Sequence, residues 1–82
     1  MDDLNWRNYI HVDPDVLVGK PVVRGTRLSV DFLLSLLAAG WTTADILENY
    51  PTLTPDGLRA VFAFAADIIH DESFFVLPAT QR

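Results

Sequence analysis

The chain is predicted to be mainly α, a module of three helices preceded by short β-prone runs. Two patterns predict this. Apolar residues recur at helical spacing after Ser29, Thr42 and Thr54, three hydroxyl residues able to cap a helix. Upstream of Ser29, β-prone triplets alternate with Gly, Pro and Asp turn residues at hairpin spacing. At 82 residues there is room for one domain. Its expected parts are an extended lead-in over 1–28, a three-helix core over 29–71 and a tail over 72–82.

In the lead-in, Tyr9-Ile10-His11-Val12 is a first β-prone run, ended by Asp13-Pro14-Asp15. Val16-Leu17-Val18 is a second, closed by Gly19-Lys20-Pro21. Val22-Val23-Arg24 is a third, broken by Gly25-Thr26, with Arg27-Leu28 as further extended residues. Strands this short are unstable as isolated pairs and need helices or a second chain to pack on.

Ser29 is the expected N-cap of a first helix from about Val30 to Ala39. Val30, Leu33, Leu34 and Leu37 form its apolar stripe, widened by Phe32 and Leu36, and Gly40 is placed to end it in a left-handed conformation. Thr42 with Asp45 three residues on forms a capping-box pattern for a short helix from Thr43 to Asn49, presenting Ile46, Leu47 and Tyr50. Pro51 cannot continue that helix. Thr54-Pro55-Asp56 is the clearest start in the chain: a cap, a proline at the first helical position, and an acid against the helix dipole. The third helix is expected from Pro55 to about His70. Its core stripe is Leu58, Val61, Phe62, Ala65, Ile68 and Ile69, with Phe64 pointing elsewhere.

Composition narrows the class of function. Half of the residues are hydrophobic and mean hydropathy is +0.22, more apolar material than one small core hides. A homodimer or higher homo-oligomer is therefore expected. Without cysteine there is no disulfide framework and no thiol chemistry. The acidic start, without an apolar leader, and the lack of a span-length apolar run lead to the expectation of a cytoplasmic protein without membrane contact. The net charge of -5 is uneven. Residues 1–30 are balanced, whereas 31–82 hold seven acids against Arg59 and Arg82. Any polyanion must be met by the basic cluster that closes the lead-in.

That cluster is Gly19-Lys20-Pro21-Val22-Val23-Arg24-Gly25-Thr26-Arg27. Lys20, Arg24, Thr26 and Arg27 are candidate contacts to nucleic acid or to an acidic partner, with the glycines allowing close backbone approach. The competing structural reading has Arg24 and Arg27 pairing with Asp13, Asp15 or Asp31 to tie the hairpins to the helices. The segment lacks the spacing of a Walker loop. In a helix-turn-helix, the third helix would offer Asp56, Gly57, Arg59, Ala60 and Ala63, a set with one cation and few base-reading side chains. His11, Asp13 and Asp15 alternate as ligands on a strand do, but Pro14 interrupts them, and they read as a solvated turn rather than a metal site. No catalytic constellation converges, so neither enzyme activity nor a cofactor is expected. Phe74, Phe75, Val76 and Leu77 in the tail are the candidate partner-docking segment.

Asp13-Pro14, the segment from Gly19 to Arg27, Ala38-Ala39-Gly40-Trp41-Thr42, Tyr50-Pro51-Thr52-Leu53-Thr54, Arg59-Ala60 and Phe64-Ala65-Ala66-Asp67 together resemble the pattern of domain-of-unknown-function family 433. The resemblance spans about Tyr9 to Asp67. It implies a winged-helix-like or homeodomain-like helix-turn-helix with a small β element. It also implies an antitoxin-like role beside a PIN-like ribonuclease toxin, with operator DNA as a further partner. Gly57 departs from the acidic or polar residue expected early in the third helix, at a propensity cost of about 1 kcal/mol relative to Ala. Two other classes stay open: a helix-turn-helix DNA-binding regulator without a toxin, and a non-catalytic dimerisation module.

Overall fold

The computed structural model describes residues 4–15 and 19–71. Its elements run in order as a 3-10 turn (Trp6–Asn8), β1 (Ile10–Val12), β2 (Pro21–Val23), α1 (Val30–Ala38), α2 (Thr43–Asn49) and α3 (Pro55–Asp71). The class is the predicted one, three helices with a short N-terminal hairpin. Val16-Leu17-Val18, the second β-prone run, lies outside the described residues, as does the tail with Phe74, Phe75, Val76 and Leu77.

Local chemistry sets each helix boundary. The Ser29 side chain accepts from the Phe32 N–H at 2.9 Å and starts α1. At its other end Gly40 has φ +102°, the Trp41 N–H donates to Leu36 O, and the Gly40 N–H donates to Leu37 O. These two bonds make a Schellman motif. The capping box of α2 is complete: Thr42 N–H donates to Asp45 Oδ2 and Asp45 N–H to Thr42 Oγ1, each at 3.0 Å. The hydrogen bond from the Thr42 backbone, then that with its hydroxyl, hold the Asp45 carboxyl below its ordinary 3.8. Thr54 Oγ1 accepts from Gly57 N–H at 3.0 Å to start α3.

β1 and β2 pair antiparallel, with Ile10 opposite Val23, His11 opposite Val22 and Val12 opposite Pro21. Val22 also bridges Ser29, so the chain runs back along β2 as it leaves the loop, but Arg27, expected to be extended, lies in the bend itself. The sheet packs its Ile10 and Val23 side against the helices. Leu33, Ile46, Val22 and Val61 are the largest fully buried side chains, each contributing roughly 1.5–3 kcal/mol relative to exposure.

Three sequence-based expectations are corrected. The start of the lead-in is not extended: Asn5 Oδ1 accepts from Arg7 N–H and caps the 3-10 turn. Trp6 fixes that turn to α3, its indole N–H donating to Asp67 Oδ2 at 2.6 Å and its ring meeting Phe64 edge-on at 4.8 Å. The core stripe of α3 is shorter than its periodicity suggests. Leu58 and Val61 are buried, whereas Phe62, Ile68 and Ile69 are exposed, and Phe64, expected to point elsewhere, packs against the core. For Ile68 and Ile69 the reason is length: the 17 residues of α3 extend about 25 Å, while the nine of α1 reach only about 14 Å. Finally, Gly57 and Ala60 are buried rather than offered on an outer face. A Cβ on Gly57 would lie 3.2–3.3 Å from Thr54 Oγ1, Leu53 Cδ1 and Val23 Cγ1. Close approach of α3 to β2 accounts for the glycine.

Candidate functional site

Residues Arg24 to Arg27 form a four-residue loop closed by Val23 N–H donating to Leu28 O at 3.0 Å. Gly25 at φ +79° supplies the left-handed turn. Thr26 holds the loop from inside: its N–H and hydroxyl both donate to Val23 O, and its Oγ1 accepts from Leu28 N–H. Its hydroxyl is thus committed to shaping the loop, while Arg24 and Arg27 project from it exposed.

The loop forms one wall of an open groove of about 640 Å³ lined by His11, Gly25, Thr26, Arg27, Leu28 and Thr52. Thr52 lies in the turn between α2 and α3, so the basic loop and the turn of the helix-turn-helix share one surface. The cations are partnered unequally. Lys20 Nζ pairs with Asp31 at 3.2 Å, Arg59 with Asp56 at 3.4 Å, and the Arg7 guanidinium lies 4.4 Å from the centre of the Trp6 ring. Among the described residues, no carboxylate lies within ion-pair distance of Arg24 or Arg27. The structural reading offered Asp13, Asp15 and Asp31 as partners for these arginines. Asp31 goes to Lys20 instead, and Asp13 Oδ1 accepts from Asp15 N–H at 2.9 Å in a local turn.

The described candidate site residues therefore fall into three places. Arg24, Thr26 and Arg27 are together on the loop. Lys20 is ion-paired to α1, and Arg59 is on α3 beside Asp56. The exposed early face of α3 is Asp56, Arg59 and Phe62, which gives little to read bases with.

A second surface is not evident from the sequence. Val30 and Leu34 of α1 and Phe64, Ala65, Ile68 and Ile69 of α3 line an apolar hollow of about 250 Å³. Apart from Phe64, its parts are visible as apolar stripes, but periodicity assigns Ile68 and Ile69 to the core. Only their lack of a covering element among the described residues reveals a surface. In sequence Asp67 precedes Ile68 and Asp71 lies two residues after Ile69.

Residues 10–65 match the family described as "Protein of unknown function (DUF433)". The chain is 38% identical over 66 residues to the uncharacterized protein y4eO of Sinorhizobium fredii (strain NBRC 101917 / NGR234), covering 79% of this chain and 30% of that protein. Its fold is similar to the crystal structure of a DUF433 member protein from Anabaena variabilis ATCC 29413, with a TM-score of 0.73 and 30% identity over 78% of this chain and 63% of the other. The chain thus spans less than two thirds of the length of each of these relatives.

Proposed function

The chain belongs to the protein-of-unknown-function family DUF433, and from that premise we propose that it is a non-catalytic, antitoxin-like protein that masks a PIN-like ribonuclease toxin and, as a homodimer, contacts operator DNA. The observation that carries this reading is the apolar hollow between α1 and α3, which no element among the described residues covers. Its setting is acidic, since residues 31–82 hold seven acids against two arginines. A ribonuclease must gather positive charge where it holds phosphates. An apolar hollow on an acidic chain complements such a surface, the apolar contact supplying affinity and the charges orientation. Phe74 to Leu77 follow α3 by two residues in sequence and would extend the same contact.

The test is inhibition of a PIN-like ribonuclease encoded beside this gene. Ile68→Asp and Ile69→Asp, at exposed positions lining the hollow, are expected to lose inhibition while keeping the wild-type circular dichroism spectrum. Truncation after Asp71 is expected to weaken the complex further. Full inhibition by both hollow variants contradicts the proposal. A second reading, a DNA-binding regulator without a toxin, draws on the capped α2–turn–α3 unit and the arginines of the basic loop. It predicts no nuclease gene next door and operator binding by the chain alone.

A further inference from the structure

We infer that the loop from Arg24 to Arg27, and not α3, makes the phosphate contacts when this protein binds duplex DNA, and that it holds the backbone without reading sequence. The inference rests on the DNA half of the function proposed above and assigns the residues that carry it. In a chain of net charge -5, a phosphate is attracted only where cations are not already neutralised by neighbours. Lys20 and Arg59 sit against Asp31 and Asp56. Such exposed pairs are weak, but their carboxylates stay beside the cation and repel an incoming phosphate. Arg24 and Arg27 carry no such neighbour among the described residues.

The groove beside them has His11, Thr26, Arg27 and Thr52 as its polar lining, with no acid among the described residues of its wall. The loop is braced by the Val23–Leu28 closure and by the three hydrogen bonds of Thr26. Little ordering is left to occur on binding, which favours affinity. The groove ends at Thr52, in the α2–α3 turn. A duplex lying there meets the loop arginines at its backbone while α3 presents Asp56, Arg59 and Phe62. That face offers one cation already beside a carboxylate, and backbone contact alone carries no sequence information.

The test is fluorescence anisotropy of the full chain on a labelled mixed-sequence duplex, titrated across salt. Wild type is expected to bind with a salt-dependent affinity whose salt slope changes little when the duplex sequence is scrambled. Arg24→Gln/Arg27→Gln should flatten the slope of log K against log salt by about 1.8 per bound protomer, about 0.9 for each phosphate no longer neutralised. Arg59→Gln should leave the slope unchanged. Thermal melting shows whether the double variant is folded, and Arg24→Lys/Arg27→Lys, which keeps the charge, should restore most of the slope. Absence of salt-dependent duplex binding by wild type, or binding to single-stranded RNA in its place, overturns both the inference and the DNA half of the proposed function. A wild-type slope in the folded double variant, or a slope abolished by Arg59→Gln, overturns the loop assignment alone and leaves DNA binding standing.

Discussion

The first turns of α3 carry Gly57, Leu58, Ala60 and Val61, all buried beneath the sheet and the other helices. The later turns carry Ile68 and Ile69, as apolar as any of them, yet 41% and 47% exposed. One amphipathic helix thus does two jobs. Its beginning is held by the rest of the chain, close enough to β2 that a Cβ at Gly57 would lie 3.3 Å from Val23 Cγ1. Its end outruns α1 and presents the same chemistry to the outside. Apolar surface at the beginning is therefore a stability feature, and at the end it is the surface assigned above to the proposed partner.

Substitutions can break or sharpen that contrast. Leu58→Ala removes a side chain only 3% exposed, and urea unfolding should show a loss of about 2–5 kcal/mol. Gly57→Ala brings a methyl against three buried or cap-forming neighbours. Its overpacking outweighs the gain in helix propensity, and the net loss is expected at about 1–2 kcal/mol by the same measurement. Ser29→Ala, which removes the α1 cap at a position only 6% exposed, should lose about 1 kcal/mol. Ile69→Asp in the exposed half should change stability by no more than about 0.5 kcal/mol. A loss there as large as that of Leu58→Ala would mean that the two halves of α3 are held alike. The smallest effect is pH-dependent. The folded Asp45 carboxyl titrates below its ordinary 3.8, so the capping box stabilises the fold above that value and the contribution fades as pH falls through the lowered folded value. Asp45→Asn should flatten this part of the acid melting profile.

Much of the scaffold is legible in the sequence because its signals are local. Ser29, the Thr42 and Asp45 pair, Thr54-Pro55 and Gly40 act through bonds reaching three to five residues, so the sequence places the helices almost to the residue. The 3-10 turn is not legible, because Trp6 is held by Asp67, 61 positions away. Periodicity marks the apolar face of α3 but not what covers it, which depends on the lengths of other helices. The basic loop is visible as a cluster. Whether Arg24 and Arg27 are neutralised is not, since three nearby aspartates offer themselves and tertiary structure gives Asp31 to Lys20.

The most direct measurement is the inhibition constant of the full chain against a PIN-like ribonuclease from the adjacent gene, compared with Ile68→Asp and Ile69→Asp. The account predicts that wild type inhibits and that both variants, folded as wild type, lose at least about tenfold in affinity, roughly 1.4 kcal/mol. Equal inhibition by all three proteins, or no inhibition by wild type, would contradict it.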